Sequence, residues 1–175
     1  MNHTAIISPS EISGDSVDIQ ISENLETLAD EGLKLENQVC FPLYAASRLM
    51  MQLYKPHLDR LGLTYPQYLV MMVLWSQNSL SVRQIGELLH LDSATLTQVL
   101  GNLEKSELIT RERVKGDART VINKLTSKGR ALKKRARRIP QEMTCEFADR
   151  IDEVAALRPL LRNLVSMLAE RIHKD

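Results

Sequence analysis

The chain has 175 residues, 43% of them apolar but only 4% aromatic, enough for one core with an appendage at most. No run of about 18 apolar residues exists to span a membrane, and no basic region followed by an apolar core marks a secretory signal. Two distant cysteines make neither a disulfide scaffold nor a metal cluster, so no metal or cofactor is expected and the compartment expected is the cytoplasm. The net charge of +1 hides an asymmetry: residues 1–36 hold eight acidic side chains and one lysine, whereas residues 111–138 hold twelve Lys/Arg and two acidic residues. Such a basic block suggests a polyanionic partner, although Lys128–Arg138 alone reads equally as a solvated helix face.

In chain order, residues 1–33 are rich in Ser, Asp and Glu without a sustained period, and read as a flexible acidic extension. Residues 36–60 read as a helix. Leu43, Ala46, Met50, Tyr54 and Leu58 line one face, and Ala45, Leu49 and Leu53 another, so a small monomer cannot readily cover it. Pro42 requires either a start near Cys40 or an earlier start with a kink.

Thr64-Tyr65-Pro66-Gln67 opens a second helix with a capping-box pattern and an early proline. Ser81-Val82-Arg83-Gln84 is another capping box, starting a short helix to His90, and Asp92 caps a third from Ser93 to about Glu107. This is the sequence form of a helix-turn-helix. Leu96, Val99, Leu100 and Leu103 make the buried stripe of its second helix, leaving Ser93, Ala94, Thr97, Gln98 and Gly101 outward. Ser93, Thr97 and Gln98 from this face, with Thr95 in the first turn, are the candidates for base contacts in a major groove.

Leu108–Val114 and Thr120–Thr126 are β-prone and joined by the turn Lys115-Gly116-Asp117-Ala118-Arg119. A basic hairpin after a helix-turn-helix is a wing. Arg119 is its minor-groove candidate, and Asp117 either orients that arginine or serves the turn. Arg111, Arg113 and Lys115 are phosphate candidates. From Thr126 the chain reads as helical. Leu132, Ala136, Ile139, Met143 and Phe147 form one stripe and Leu157, Leu161, Leu164, Leu168 and Ile172 another, with Pro140 and Pro159 either kinking the helices or marking starts. The expected fold is mainly α with a small β-hairpin wing. It places the DNA-binding region at 64–126 and a homodimerisation region in helices 36–60 and 127–172, matching a pseudo-palindromic double-stranded operator; one intramolecular bundle is the other reading of these stripes.

The segments Leu35–Phe41, Leu53–Pro56, Leu61–Tyr68, Leu91–Thr97 and Ile139-Pro140 carry a resemblance to the MarR family of winged-helix regulators, over about residues 34–172. More specifically, they resemble its OhrR-type branch of organic-hydroperoxide-sensing repressors. That resemblance implies a dimeric repressor, not an enzyme. Its reactive cysteine near the start of the first helix maps to Cys40, and two tyrosines that hydrogen-bond it map to Tyr54 and Tyr65. In the two-cysteine subclass a second cysteine lies in the helix after the wing, where Cys145 stands, and the pairing implied joins two subunits. Gln98 and Gly101 depart from the family, where proline and a basic residue are frequent, which leaves the operator sequence open.

Thiolate attacks a hydroperoxide. The first turn of a helix offers such an anion the positive end of the backbone dipole, and Val39, Phe41 and Leu43 offer apolar surroundings suited to organic or lipid peroxides. Sulfenic acid would follow, then a disulfide with a second thiol. By itself a lone cysteine in an apolar helix is usually inert core. Two other readings remain: a related repressor answering to a phenolic ligand, and a thiol peroxidase, against which no Cys-x-x-Cys stands in the chain.

Overall fold

A computed structural model describes residues 30–114 and 117–172, with the backbone alone for 117–119. The expected extension at 1–33 thus lies almost wholly outside the described residues. By internal contacts the chain forms two units, residues 1–50 and 51–175.

In the first unit a 3₁₀ turn at Leu35–Asn37 precedes helix α1, Cys40–Asp59, which continues into the second unit. Asn37 Nδ2 donates to the Glu31 carbonyl at 2.8 Å, fastening the turn. The two options left by Pro42 resolve to a start at Cys40. The proline then stands third in the helix, where its missing N–H has no helical partner to lose.

The second unit is built around helix α2 (Tyr65–Gln77), strand β1 (Ser79–Ser81), helices α3 (Val82–Leu89) and α4 (Ser93–Lys105), and strands β2 (Ile109–Val114) and β3 (Asp117–Leu125). Gly62, at φ 70°, turns the chain from α1 into α2. Both capping boxes form: Thr64 with Gln67, and Ser81 with Gln84, each satisfy two otherwise free backbone donors. His90 takes the left-handed conformation at φ 51°, ψ 41° and closes the tight turn between α3 and α4.

Val70, Met71, Leu74, Ile85, Leu100 and Leu103 are fully buried where these helices meet the sheet. Burying each such side chain contributes about 1.5–3 kcal/mol. The antiparallel sheet has the order β1-β3-β2. Strand β1, which three residues are too few to announce by alternation, pairs Leu80 with Asn123. The fully buried Asn123 also donates from Nδ2 to the Leu80 carbonyl at 3.1 Å, so a core amide fastens β1 to the wing.

The wing ladder is longer than the turn composition suggests. Val114 pairs with Asp117, so three residues assigned to the turn open β3, past an irregularity between Arg113 and Val114. Backbone pairing, not side-chain preference, sets that strand end.

After β3 the described residues form three α-helices where two long ones were expected: α5 (Ser127–Ala136), α6 (Ile139–Glu146) and α7 (Ile151–Ile172), with a 3₁₀ turn at Ala148–Arg150. Pro140 has no N–H to offer the Ala136 carbonyl, and the helix ends at Ala136. Pro159 stays inside α7. Helix α5 lies against the wing base through Gly129, where a Cβ would fall 2.1 Å from the Leu108 carbonyl oxygen. Trp75 Nε1 donates to the Gly129 carbonyl at 2.8 Å from within the core. Leu132, Ala136, Ile139 and Met143 of the expected stripe are buried, and no residue of α7 is.

Candidate functional site

Helix α4 starts where Asp92 accepts from the backbone N–H groups of Ala94 and Thr95, both at 2.9 Å. The Thr95 hydroxyl donates to the other carboxylate oxygen at 2.7 Å. These bonds, that hydroxyl first, hold the Asp92 carboxyl below its ordinary range, so the cap is fully ionised at neutral pH. With Leu96, Val99, Leu100 and Leu103 buried, Ser93, Ala94, Thr97 and Gln98 are exposed as the periodicity expects, Gly101 is half-buried, and Thr95, which the periodicity did not place outward, is exposed as well. The Thr97 hydroxyl donates to the Ser93 carbonyl at 2.7 Å. The Thr95 hydroxyl thus has its acceptor in the cap and the Thr97 hydroxyl in the helix backbone, while Gln98 is exposed.

The basic block divides into two sets. Lys124 pairs with Glu112 at 2.6 Å and Lys128 with Glu107 at 3.2 Å. Arg130 and Lys133 donate to the carbonyls of Leu125 and Trp75, at 2.7 and 2.8 Å, and Arg135 donates to that of Arg60. Charge count alone does not distinguish these structural cations from Arg113, Lys134, Arg137 and Arg138, which are also exposed. Arg111 is partly buried. Its Nη1 lies 3.8 Å from Glu104, and its Nε is buried with no hydrogen-bond partner. Lys115, and the side chains of Asp117 and Arg119, lie outside the described residues.

Of the residues singled out for sensing, Cys40 opens α1 in the first unit, whereas Tyr54, Tyr65 and Cys145 belong to the second. Both cysteines are free thiols and exposed. Tyr54 and Tyr65 come together edge to face, with ring centroids 5.1 Å apart. Tyr68, 6.3 Å from Tyr54, completes an aromatic group that the sequence reading had missed. In the sequence it stands one turn beyond Tyr65, at the end of the segment Leu61–Tyr68, with no role assigned to it. Burial raises all three phenols above the ordinary tyrosine value, and the mutual repulsion of their anions adds to this for Tyr65 and Tyr68. Each therefore remains an O–H donor at neutral pH, the form needed to stabilise an anion.

A second polar group, also missed, sits at the end of α1. Glu142 of α6 accepts from His57 Nδ1 at 2.7 Å and from Arg60. The His57 bond first, then the bond and charge of Arg60, hold the Glu142 carboxyl below its ordinary range against partial desolvation. A cavity of about 360 Å³ adjoins this group, lined also by Lys134, Arg135 and Arg138. Among the described residues no cluster of His, Cys, Asp or Glu could hold a metal, and no helix is long and apolar enough to cross a membrane.

A capped helix behind a tight turn, followed by a basic hairpin, is the winged-helix arrangement. The family model for the transcriptional regulator SarA/Rot matches residues 52–136. The organic hydroperoxide resistance transcriptional regulator of Bacillus subtilis (strain 168) is 43% identical over 139 residues, spanning 79% of this chain and 95% of that protein. Among solved structures, reduced AbfR bound to DNA is 34% identical with TM-score 0.66, over 82% of this chain and 98% of the other. The disulfide-formed AbfR is also 34% identical with TM-score 0.57, over 81% and 99%. AbfR is a protein of Staphylococcus epidermidis. The chain belongs to the MarR family of winged-helix transcriptional regulators, in its OhrR-type branch. These are regulators rather than enzymes, which removes the thiol-peroxidase reading.

Proposed function

We propose that this protein is a homodimeric repressor that leaves its operator DNA when an organic or lipid hydroperoxide oxidises Cys40. The observation that carries the reading is an exposed free thiol as the first residue of α1, in a chain with one other exposed thiol, Cys145. In the reaction the Cys40 thiolate attacks the O–O bond, giving Cys40 sulfenic acid and releasing the alcohol once a proton is supplied. Cys145 of the other subunit then displaces water to form the disulfide. Tyr54 and Tyr65, both protonated, are assigned to donate hydrogen bonds to the thiolate. The name of the Bacillus relative supports the signal, and the reduced DNA-bound and disulfide forms of AbfR support the two end states.

Ser93, Thr95, Thr97 and Gln98 are assigned to base edges. Arg111, Arg113 and Lys115 are assigned to phosphates, and Arg119, oriented by Asp117, to the minor groove. Residues 64–126 thus form the DNA-binding region and 36–60 with 127–172 the dimerisation helices. Exposed Leu157, Leu160, Leu161, Val165 and Leu168 on α7 support that division, because a stripe of this size in water needs a partner surface. Non-reducing electrophoresis after cumene hydroperoxide treatment tests the pairing. A band of twice the subunit mass should appear in wild type and vanish in Cys145→Ser; unchanged migration in both contradicts it.

A further inference from the structure

Helix α6 is a separate short segment. A break at Arg137–Arg138 divides it from α5, and Phe147 with the turn Ala148–Arg150 divides it from α7. It carries Cys145 one residue before its end. One face is held by the buried side chains of Ile139 and Met143. The polar hold is Glu142, three residues before Cys145, whose carboxylate receives His57 Nδ1 at 2.7 Å and the Arg60 guanidinium. Glu146, the residue after Cys145, presents Oε1 3.9 Å from the other ring nitrogen of His57. The imidazole, whose side chain is only 12% exposed, thus bonds one of the two carboxylates that bracket the Cys145 position and lies near the other, which is beyond hydrogen-bond reach. Arg135, donating to the Arg60 carbonyl, ties the same corner to the end of α5.

We propose that His57, Arg60 and Glu142 form a latch that keeps α6 and Cys145 in the reduced position and so sets the rate of disulfide formation. The proposal rests on the reading of Cys145 as the resolving thiol. If Cys145 must travel to the oxidised Cys40 of a partner subunit, α6 has to leave its seat. Two hinge-like interruptions let it move as a unit, and the ionic group resists that movement. The three residues are positioning residues: none touches sulfur, and none takes a proton in the reaction. Because His57 and Arg60 act on the same carboxylate, removing either partner or Glu142 opens the same contact, so effects combine by less than their product.

The test measures two rates on the full-length protein with cumene hydroperoxide. Sulfenic acid formation at Cys40 is followed by a dimedone-type probe in a Cys145→Ser background, and crosslinking is followed on non-reducing gels. His57→Ala, Glu142→Gln and the double variant should leave the first rate unchanged. They should raise the second about five-fold, with the double variant no faster than the quicker single. Glu142→Gln keeps the side-chain shape at a part-exposed site, so folding is preserved if His57→Ala proves unstable. Crosslinking at the wild-type rate in every variant overturns the latch and leaves the sensor reading intact. Multiplying effects assign the residues to general stability instead. Absence of crosslinking in wild type itself overturns the Cys145 reading and the latch with it.

Discussion

Gly129→Ala inverts an ordinary expectation about helices. In an exposed helix this change stabilises by about 1 kcal/mol. Here the new Cβ would sit 2.1 Å from the Leu108 carbonyl oxygen and 3.3 Å from Leu125 Cδ2. Backbone meets backbone, so α5 and the start of β2 must separate by more than about 1 Å to reach ordinary contact. That movement strains three bonds: Thr126 N to the Leu108 carbonyl at 3.1 Å, the Thr126 hydroxyl to the same oxygen at 3.2 Å, and Trp75 Nε1 to the Gly129 carbonyl at 2.8 Å. Each hydrogen bond contributes about 0.5–1.5 kcal/mol, and an orphaned buried indole N–H costs about 1–3 kcal/mol. Set against the helix gain, the net loss is about 1–5 kcal/mol. For a chain of this size that lowers Tm by about 2–20 °C, measured at fixed protein concentration because an oligomer's Tm depends on it. A Gly129→Ala protein as stable as wild type would refute the close packing of α5 on the wing base.

Leu103→Ala, at a site with no exposure, should cost about 2–5 kcal/mol in urea unfolding, since the core around α4 cannot collapse freely. Glu142→Gln should be less stable than wild type at pH 7. The native carboxyl titrates below the unfolded value of about 4.3, so this difference is present above that pH and closes as pH falls through the lower folded value; an equal difference at pH 7 and pH 3 contradicts it. Gln98→Ala should cost about 1–3 kcal/mol of operator affinity and relax preference at one base position, measured by fluorescence anisotropy on a set of operator variants. Arg113→Ala should weaken all sequences alike and reduce the salt slope by about 1.

Local chemistry was the most legible part of the chain. The capping pairs Thr64–Gln67 and Ser81–Gln84 and the cap Asp92 lie within four residues of their targets, and all three helices start there. The buried stripe of α4 followed from its period for the same reason. What depends on distant partners was hidden. Strand β1 exists because Leu80 pairs with Asn123, 43 positions away, and nothing in Ser79–Ser81 announces that. Pro140 marked an interruption, but only the structure shows α6 as a separate segment. Lys133 and Arg135 read as members of a polyanion-facing block, yet they donate to the carbonyls of Trp75 and Arg60. The tyrosines were located through resemblance, whereas Tyr68 and the His57–Glu142 pair required coordinates, since 85 positions separate those last two.

The central claim is that Cys40 controls DNA binding. A gel shift on the DNA upstream of the protein's own coding sequence, with and without cumene hydroperoxide, tests it most directly. Reduced wild type and Cys40→Ser should bind with similar affinity; peroxide should release the wild type, thiol reductant should restore it, and Cys40→Ser should stay bound throughout. Release of Cys40→Ser by peroxide, or retention of the wild type, contradicts the account.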